Sequence, residues 1–462
     1  MAFGLLFGFS TAVVAGVLDS IVAGFQLSTR QAELTVAILV FSCFAGAVAA
    51  GPISSRIGRR RCLALAAVLA AVGYVLVSTD GSLAALLTAR ILIGLGVGLA
   101  SMVAPMYAGE ASPEGVRGAV VSLFQLAITL GMLGAYAVPL LLGAADWQRV
   151  IGSGLAITAF CLLTLLLVPE SPRWLAIRGQ REKALHAAGR LGLELPPAAL
   201  PGDEPVAMVR LLGGSTLAVL LLCSALFVLQ NLSGIDGVLY YAPRIFTELG
   251  LPAGTAALTA TLGLGAVNVA ATIVALFYVD RAGRRLLLNL GCILMTLGLA
   301  TAVAADALDQ PMFGLVGLAV FIAAFAVSLG PLPYVLMSEL FPVAVRERGI
   351  AVASATSWLF NALVAVSFLS GIETIGLSGV LLIFTVVCLI ALFLGLRFVP
   401  ETRGIALEAI EAKVVAGVPL RWVGHARGED APLDDASEAR RSAWSRWFTA
   451  RSRAAKPGIL KT

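Results

Sequence analysis

The sequence predicts an all-α membrane protein with twelve transmembrane helices in two six-helix pseudo-symmetric bundles, joined by cytoplasmic linker helices. Three observations predict this fold class. The chain is 59% hydrophobic and only 13% charged, with a mean hydropathy of +0.95, whereas soluble proteins carry about 25% charged residues. Of its 59 charged residues (32 Lys and Arg plus 27 Asp and Glu), 19 fall in the last 63 positions. The apolar stretches form two groups of six. A soluble enzyme, a nucleic-acid-binding protein and a disordered chain are therefore disfavoured.

Each apolar stretch is long enough to cross a bilayer, which takes about 20 residues at 1.5 Å rise per residue. The first six are predicted at Phe3 to Phe25, Leu34 to Ser54, Cys62 to Thr79, Leu83 to Ala108, Ala119 to Gly143 and Val150 to Val168. The second six are predicted at Leu212 to Tyr241, Thr255 to Val279, Leu286 to Ala304, Met312 to Ser338, Ile350 to Gly371 and Leu377 to Val399. Glycine and proline residues at Gly234, Gly237 and Pro243 predict a break in span 7, and Gly330 to Pro333 predict one in span 10.

Basic residues predict the orientation of the chain. The loops after spans 2, 4, 6, 8 and 10 hold 16 Lys and Arg, whereas the loops on the other side hold three. Because positive charge concentrates on the cytoplasmic side, we expect both termini and the central loop to be cytoplasmic, in the plasma membrane. The predicted domains are an N-terminal bundle (1–168), a linker with short helices (169–211), a C-terminal bundle (212–399) and a tail (400–462) containing a short helix from Ile405 to Val414.

Three charged motifs recur in the same order at nearly one offset. Residues 55–60 (SRIGRR) return at 280–285 (DRAGRR), an offset of 225. Glu110 and Arg117 return as Glu339 and Arg346, an offset of 229. Residues 169–173 (PESPR) are echoed at 400–403 (PETR), an offset of 231. This repetition supports the six-plus-six division independently of hydropathy.

The motifs together resemble the sugar porter family of the major facilitator superfamily, over essentially the whole chain. They are the pattern RxxxGxGxG at 90–98, PxxxxE at 105–110, PESPRW at 169–174, GIDGVLYYAP at 234–243, DRAGRR at 280–285 and PETRG at 400–404. The resemblance implies the major facilitator fold and the transport of a solute by alternating access.

Charged residues at the cytoplasmic helix ends are candidates for a gate. Short arginine-rich loops facing glutamates can form ion pairs across the two halves that hold this face shut and break on opening. The resemblance implies the same role. The candidates are Arg59, Glu110, Arg117, Glu170, Arg284, Glu339, Arg346 and Glu401. The alternative is that these charges set the orientation and cap helices.

Polar side chains inside the apolar spans are candidates for substrate binding. Amides offer donors and acceptors to a hydroxylated solute, and aromatic rings offer a flat face to its C–H groups. The candidates are Gln125 on span 5; Gln230, Asn231, Asp236 and Tyr240 on span 7; Asn268 on span 8; Tyr334 on span 10; and Trp358 and Asn361 on span 11. The family's binding positions match Gln125, Gln230 and Asn231. Hydrogen bonding between helices is the alternative.

Four residues depart from the family's pattern. Ser10 stands where proton-coupled members carry Asp, so Arg90 loses its usual partner, and Asp236 stands where Asn is usual. Tyr334 replaces a Trp and Ser357 replaces an amide, which alters the pocket wall. Ser10, Arg90 and Asp236 are therefore the coupling candidates.

The predicted function is secondary transport of a small sugar or polyol. Of two accounts, a facilitator is favoured over a sugar:proton symporter in which Asp236 titrates. A proton-coupled organic-cation exporter and a nutrient sensor are the alternatives. An enzyme is not expected, because the spans offer no nucleophile–base pair or metal-ligand cluster. We expect no cofactor, metal or nucleic-acid partner, and a monomer whose partners are the solute, the lipid bilayer and, in the symport alternative, protons.

Overall fold

The computed structural model describes residues 1–112, 117–193, 213–308, 310–342, 345–405 and 407–424, with the backbone alone at 117–122, 279–280, 347 and 407–408. Every regular element in these ranges is a helix. Residues Met1–Val423 form one compact unit, and Gly424–Thr462 form a second, of which only Gly424 is described. The all-α prediction is confirmed. The predicted domain boundaries stay a prediction.

The described helices form twelve membrane spans. Ten helices are individually long and apolar enough to span a membrane, and a bent pair near the N-terminus adds an eleventh. One of the ten, Arg346–Arg397, has 52 residues and contains the non-helical residue Gly376. At 1.5 Å per residue it is more than twice as long as the roughly 30 Å hydrocarbon core. It therefore supplies spans 11 and 12, and the predicted number of spans is confirmed.

The observed bounds lie close to the predicted ones. In the first half the spans are Ala2–Ala12 with Val13–Gly16 and Leu18–Phe25, then Thr29–Ile57, Arg59–Thr79, Leu83–Glu110, Arg117–Leu142, and Trp147–Gly152 with Gly154–Leu167. In the second half they are Gly214–Leu232 with Ile235–Tyr240 and Ala242–Glu248, then Thr255–Ala282, Arg284–Ala307, Pro311–Val327 with Leu332–Leu340, and the two parts of Arg346–Arg397. We refer to them as spans 1 to 12.

Span 2 begins at Thr29, five residues before its predicted start. Ser28 and Gln31 form a capping box: the Ser28 side chain accepts from the Gln31 backbone N–H, and the Gln31 side chain accepts from the Ser28 N–H at 2.9 Å. These bonds satisfy backbone donors that a helix start leaves free. The polar stretch before Leu34 is consequently helical, and it carries Glu33 into the bundle.

The predicted breaks in spans 7 and 10 are confirmed. Span 7 is interrupted at Gly234, whose φ of 86° lies in the left-handed region. A side chain at this position would be strained, and its Cβ would overlap the ring of Phe384. Span 10 is interrupted between Val327 and Leu332, where Pro331 has no N–H to continue the helical hydrogen bonds.

The glycines of the motif at 90–98 let helices approach closely. A Cβ on Gly94 would collide with the Leu39 carbonyl of span 2, and one on Gly96 with the Ala66 carbonyl of span 3. Small residues allow such backbone contacts in membranes, where helices gain stability chiefly by close packing. The motif therefore holds spans 2, 3 and 4 together as one packed unit.

Three short helices follow the two halves. Pro172–Ile177 and Arg181–Leu191 lie after span 6, and Leu407–Val415 lies after span 12. The first two pack on each other through a small cluster that includes Leu175 and Ala184. The linker helices and the tail helix are thus confirmed, while the rest of the predicted linker (194–211) and the tail beyond 424 lie outside the described residues.

Candidate substrate site and gates

Gln230 ties the break of span 7 to the break of span 10. It lies at the end of the first segment of span 7, and its Nε2 donates to the carbonyls of Leu329 at 3.0 Å and Gly330 at 2.9 Å. An interrupted helix leaves carbonyls without their usual partners. The amide satisfies two of them, and its own oxygen accepts no hydrogen bond from a described residue.

Asn231 joins span 7 to span 11. Its Nδ2 donates to the Phe227 carbonyl at 2.7 Å and to the Ser357 hydroxyl at 3.0 Å. Ser357 is the position where the family usually has an amide. The Asn231 carbonyl oxygen, like that of Gln230, has no partner in the described part of the chain, so both oxygens can accept from a bound solute.

Asp236 lies just after the break, in the first turn of Ile235–Tyr240. Its carboxylate lies close to the Asn361 side chain on span 11. The Tyr240 hydroxyl donates to Asn361 Oδ1 at 3.3 Å. We call Gln230, Asn231, Asp236, Tyr240 and Asn361 the span 7 cluster. Asn231 and Tyr240 contact one stretch of span 11, at Ser357 and Asn361, and Gln230 precedes Asn231 in the chain.

The other two predicted aromatic residues, Tyr334 and Trp358, lie outside the span 7 cluster. Tyr334 packs edge-on against Phe227, with ring centroids 4.8 Å apart, and it is 41% exposed although it lies within span 10. Trp358 is buried and contacts Phe7 of span 1 at 5.2 Å between centroids. Trp358 is thus part of the contact between the two halves.

Gln125 and Asn268 are not brought into the span 7 cluster by any described contact. Gln125 is half-buried on span 5, and Asn268 is buried on span 8. Neither side chain has a hydrogen-bond partner among the described residues. Their place in the binding site stays a prediction.

Arg90 is held by backbone carbonyls. It is only 1% exposed, and its guanidinium donates to the carbonyls of Thr35 at 3.1 Å, Val36 at 3.0 Å and Ser10 at 3.5 Å. The Ser10 hydroxyl is 2.7 Å from that of Tyr74. Within the described chain Arg90 has no carboxylate partner, so these carbonyls offset the cost of burying its charge.

At the end of the bundle that carries Arg59 and Arg284, which we call the basic end, the first half forms a closed set of polar contacts. Arg59 pairs with Glu110 at 2.9 Å, and both side chains are at most 9% exposed. Ser171 donates to Glu110 at 2.5 Å. Glu170 accepts from the backbone N–H groups of Arg59 at 2.9 Å and Arg60 at 3.0 Å, so it caps the start of span 3.

The second half repeats this arrangement. Arg284 pairs with Glu339 at 2.9 Å, and Thr402 donates to Glu339 at 2.5 Å. Glu401 accepts from the backbone N–H groups of Arg284 at 3.0 Å and Arg285 at 3.1 Å. The sequence repeat is therefore also a repeat of contacts, with Ser171 and Thr402 as equivalent donors.

These pairs lie within each half, not across the two halves as the sequence analysis expects for a closed gate. Arg346 also bonds within its own half, donating to the Phe341 carbonyl at 3.1 Å, and the Arg117 side chain lies outside the described residues. In this conformation Glu170 and Glu401 cap helices, which is the alternative interpretation. The gate role of the set stays a prediction.

The sequence analysis missed the described polar contacts that join the halves. They lie at the other end of the bundle, which we call the opposite end. They are Asp19–Arg244 at 3.4 Å, Thr29–Glu373, Glu33–Ser370 at 2.6 Å and Tyr136–Leu239 at 2.9 Å. An acidic residue inside an apolar span is a functional signal, but Glu33 fell just outside the predicted start of span 2.

Twelve helices in two repeated halves, joined at one end and broken at spans 7 and 10, define a membrane transporter of the major facilitator fold. The family model described as "Sugar (and other) transporter" matches residues 1–414. The chain is 32% identical to the galactose-proton symporter of Escherichia coli K12, over 91% of this chain and 94% of that protein. It is 34% identical to the D-xylose-proton symporter of the same strain, over 88% and 93%.

Solved structures of sugar transporters are also similar to this chain over most of its length. The proton:xylose symporter XylE bound to 6-bromo-6-deoxy-D-glucose superposes with a TM-score of 0.76 and 32% identity, covering 89% of this chain and 96% of that one. XylE from E. coli in an inward open conformation gives a TM-score of 0.74 and 30% identity, covering 89% and 97%. The chain belongs to the sugar porter family of the major facilitator superfamily. Members of this family are transporters, not enzymes.

Proposed function

We propose that the protein moves a small sugar or polyol across the membrane by alternating access, in symport with protons. The span 7 cluster carries the proposal. It places two amides whose oxygens have no described partner, a carboxylate and a tyrosine beside two helix breaks, in a bundle whose spans are predominantly apolar. Hydroxylated solutes need such groups to replace their bonds to water, and discontinuous helices supply them in transporters.

Proton coupling is the alternative that the relatives support. The sequence alone favoured a facilitator, because Ser10 replaces the family's first-span Asp. The relatives at 32% to 34% identity are named as symporters for galactose, arabinose and xylose with protons. We assign the titrating role to Asp236, the carboxylate within the span 7 cluster.

The basic end is proposed to face the cytoplasm of a cell whose plasma membrane holds the transporter, with both termini on that side. The positive-inside rule supports this orientation. In the alternate conformation, arginines of the other half would approach the carboxylates of Glu110 and Glu339 and close the basic end, while the pairs within each half remain.

Purified protein in vesicles tests the proposal. We expect entry of radiolabelled galactose, arabinose or xylose, and accumulation against a gradient when the outside is acidic. Asp236→Asn should abolish the accumulation and spare sugar exchange, because exchange needs no net proton movement. Accumulation that survives Asp236→Asn unaltered would remove Asp236 from the mechanism, and the absence of entry for every sugar and polyol tested would overturn the proposal.

A further inference from the structure

Glu33 is a buried acid near the start of span 2, at the opposite end of the bundle. The residue is 2% exposed. A carboxylate at such a position is costly unless hydrogen bonds compensate for the lost water. The substrate site and the ion pairs of the basic end make no use of it.

Both oxygens of this carboxylate are bonded by one residue of the other half. Ser370 of span 11 donates its backbone N–H to Glu33 Oε1 at 2.7 Å and its hydroxyl to Oε2 at 2.6 Å. Among the described contacts between the halves, this is the one made by a buried charged group. It can exist only while spans 2 and 11 are together at the opposite end.

A cavity lies beside this contact at the opposite end. It has a volume of about 80 Å³ and is lined by Thr29 and Ala32, which belong to the same turns of span 2, and by Leu369 beside Ser370. Its volume is enough for several water molecules. Arg244 and Glu248 of span 7 and Glu373 of span 11 also line it, and Tyr241 of span 7 lies near Glu33.

We propose that the Glu33 carboxylate latches the opposite end shut through its two bonds to Ser370, and that these bonds must break before spans 2 and 11 separate. The inference rests on the proposed alternating access and adds a gating residue to it. An ionised carboxylate accepts from both donors, and such charge-assisted bonds are about twice as strong as neutral ones. Replacing the carboxylate by a neutral amide weakens these bonds, which exist only in the closed state, and so shifts the equilibrium toward opening.

The test measures the gate directly. Spin labels at Arg30→Cys and Ile375→Cys, two exposed positions on opposite halves, report the separation of the opposite ends; the six native cysteines are buried. Glu33→Gln should raise the ratio of separated to closed protein roughly tenfold.

Glu373→Gln is the matched control, because it makes the same chemical change at the same gate in an exposed carboxylate that bonds Thr29. It should behave as the unaltered protein. If Glu33→Gln does not fold, Ser370→Ala must raise the separated population and Ser370→Thr must restore it. A Glu33→Gln protein with unaltered distances overturns the latch, as does an equal effect of Glu373→Gln. Sugar exchange in vesicles, measured in parallel, reports failure of the proposed function separately from failure of the latch.

Discussion

At the basic end the described ion pairs join helices of the same half, whereas the described polar contacts that join one half to the other lie at the opposite end. The pairs also differ in burial. Arg59–Glu110 is at most 9% exposed, while the side chains of Arg244 and Asp19 are 48% and 66% exposed. Buried pairs are hard to break, and exposed pairs contribute little.

This difference is what alternating access requires. Each half must stay rigid while the contacts between the halves form and break at modest cost. Strong contacts within a half and weak contacts between halves satisfy both needs. The contact of Phe7 with Trp358 and the hydrogen bonds of Gln230 lie in the middle of the bundle, between the basic end and the opposite end.

The largest expected effect is the loss of stability when a buried ion pair of the basic end is broken. Arg59→Ala leaves the buried Glu110 carboxylate without its charge partner, and we expect the free energy of unfolding to fall by about 3 kcal/mol, measured by denaturation of the purified protein. Arg149→Ala is the control, because its pair with Asp146 is 81% exposed on the arginine side and should contribute less than about 1 kcal/mol. Equal losses in the two variants would contradict the contrast between buried and exposed pairs.

The next effect is on the span 7 cluster. Gln230→Ala removes a predicted sugar ligand and leaves the Leu329 and Gly330 carbonyls unsatisfied, so kcat/KM for sugar uptake should fall roughly tenfold to a hundredfold. Gln148→Ala, which removes an amide that bonds the Val77 carbonyl outside the cluster, should leave uptake unchanged. Uptake by Gln230→Ala at the unaltered rate would exclude the amide from the site.

The smallest effect is on the exposed pair at the opposite end. Arg244→Gln breaks the contact with Asp19, and an exposed pair is worth at most about 1 kcal/mol. The ratio of separated to closed protein, measured with the spin labels at positions 30 and 375, should therefore change less than about fivefold. A shift as large as that expected for Glu33→Gln would show that exposed charges also control this end.

Hydropathy and the charged repeats were enough to predict the number of spans, their order and the breaks in spans 7 and 10. Glycine and proline have local effects on the helix, so a single sequence reveals them. The sequence could not show that Arg59 and Glu110 pair within one half, because the pairing depends on how helices pack. Glu33 was missed for a local reason: the capping box of Ser28 and Gln31 extends span 2 beyond its apolar stretch.

The central claim is that transport requires the opposite end to separate. Thr29 and Glu373 are in contact there across the halves, so Thr29→Cys with Glu373→Cys can be joined by a short, reducible thiol cross-linker. The account predicts that sugar uptake into vesicles falls at least about tenfold on cross-linking, recovers on reduction, and is unaffected by the reagent in either single variant. Uptake at the full rate by the cross-linked protein would contradict it.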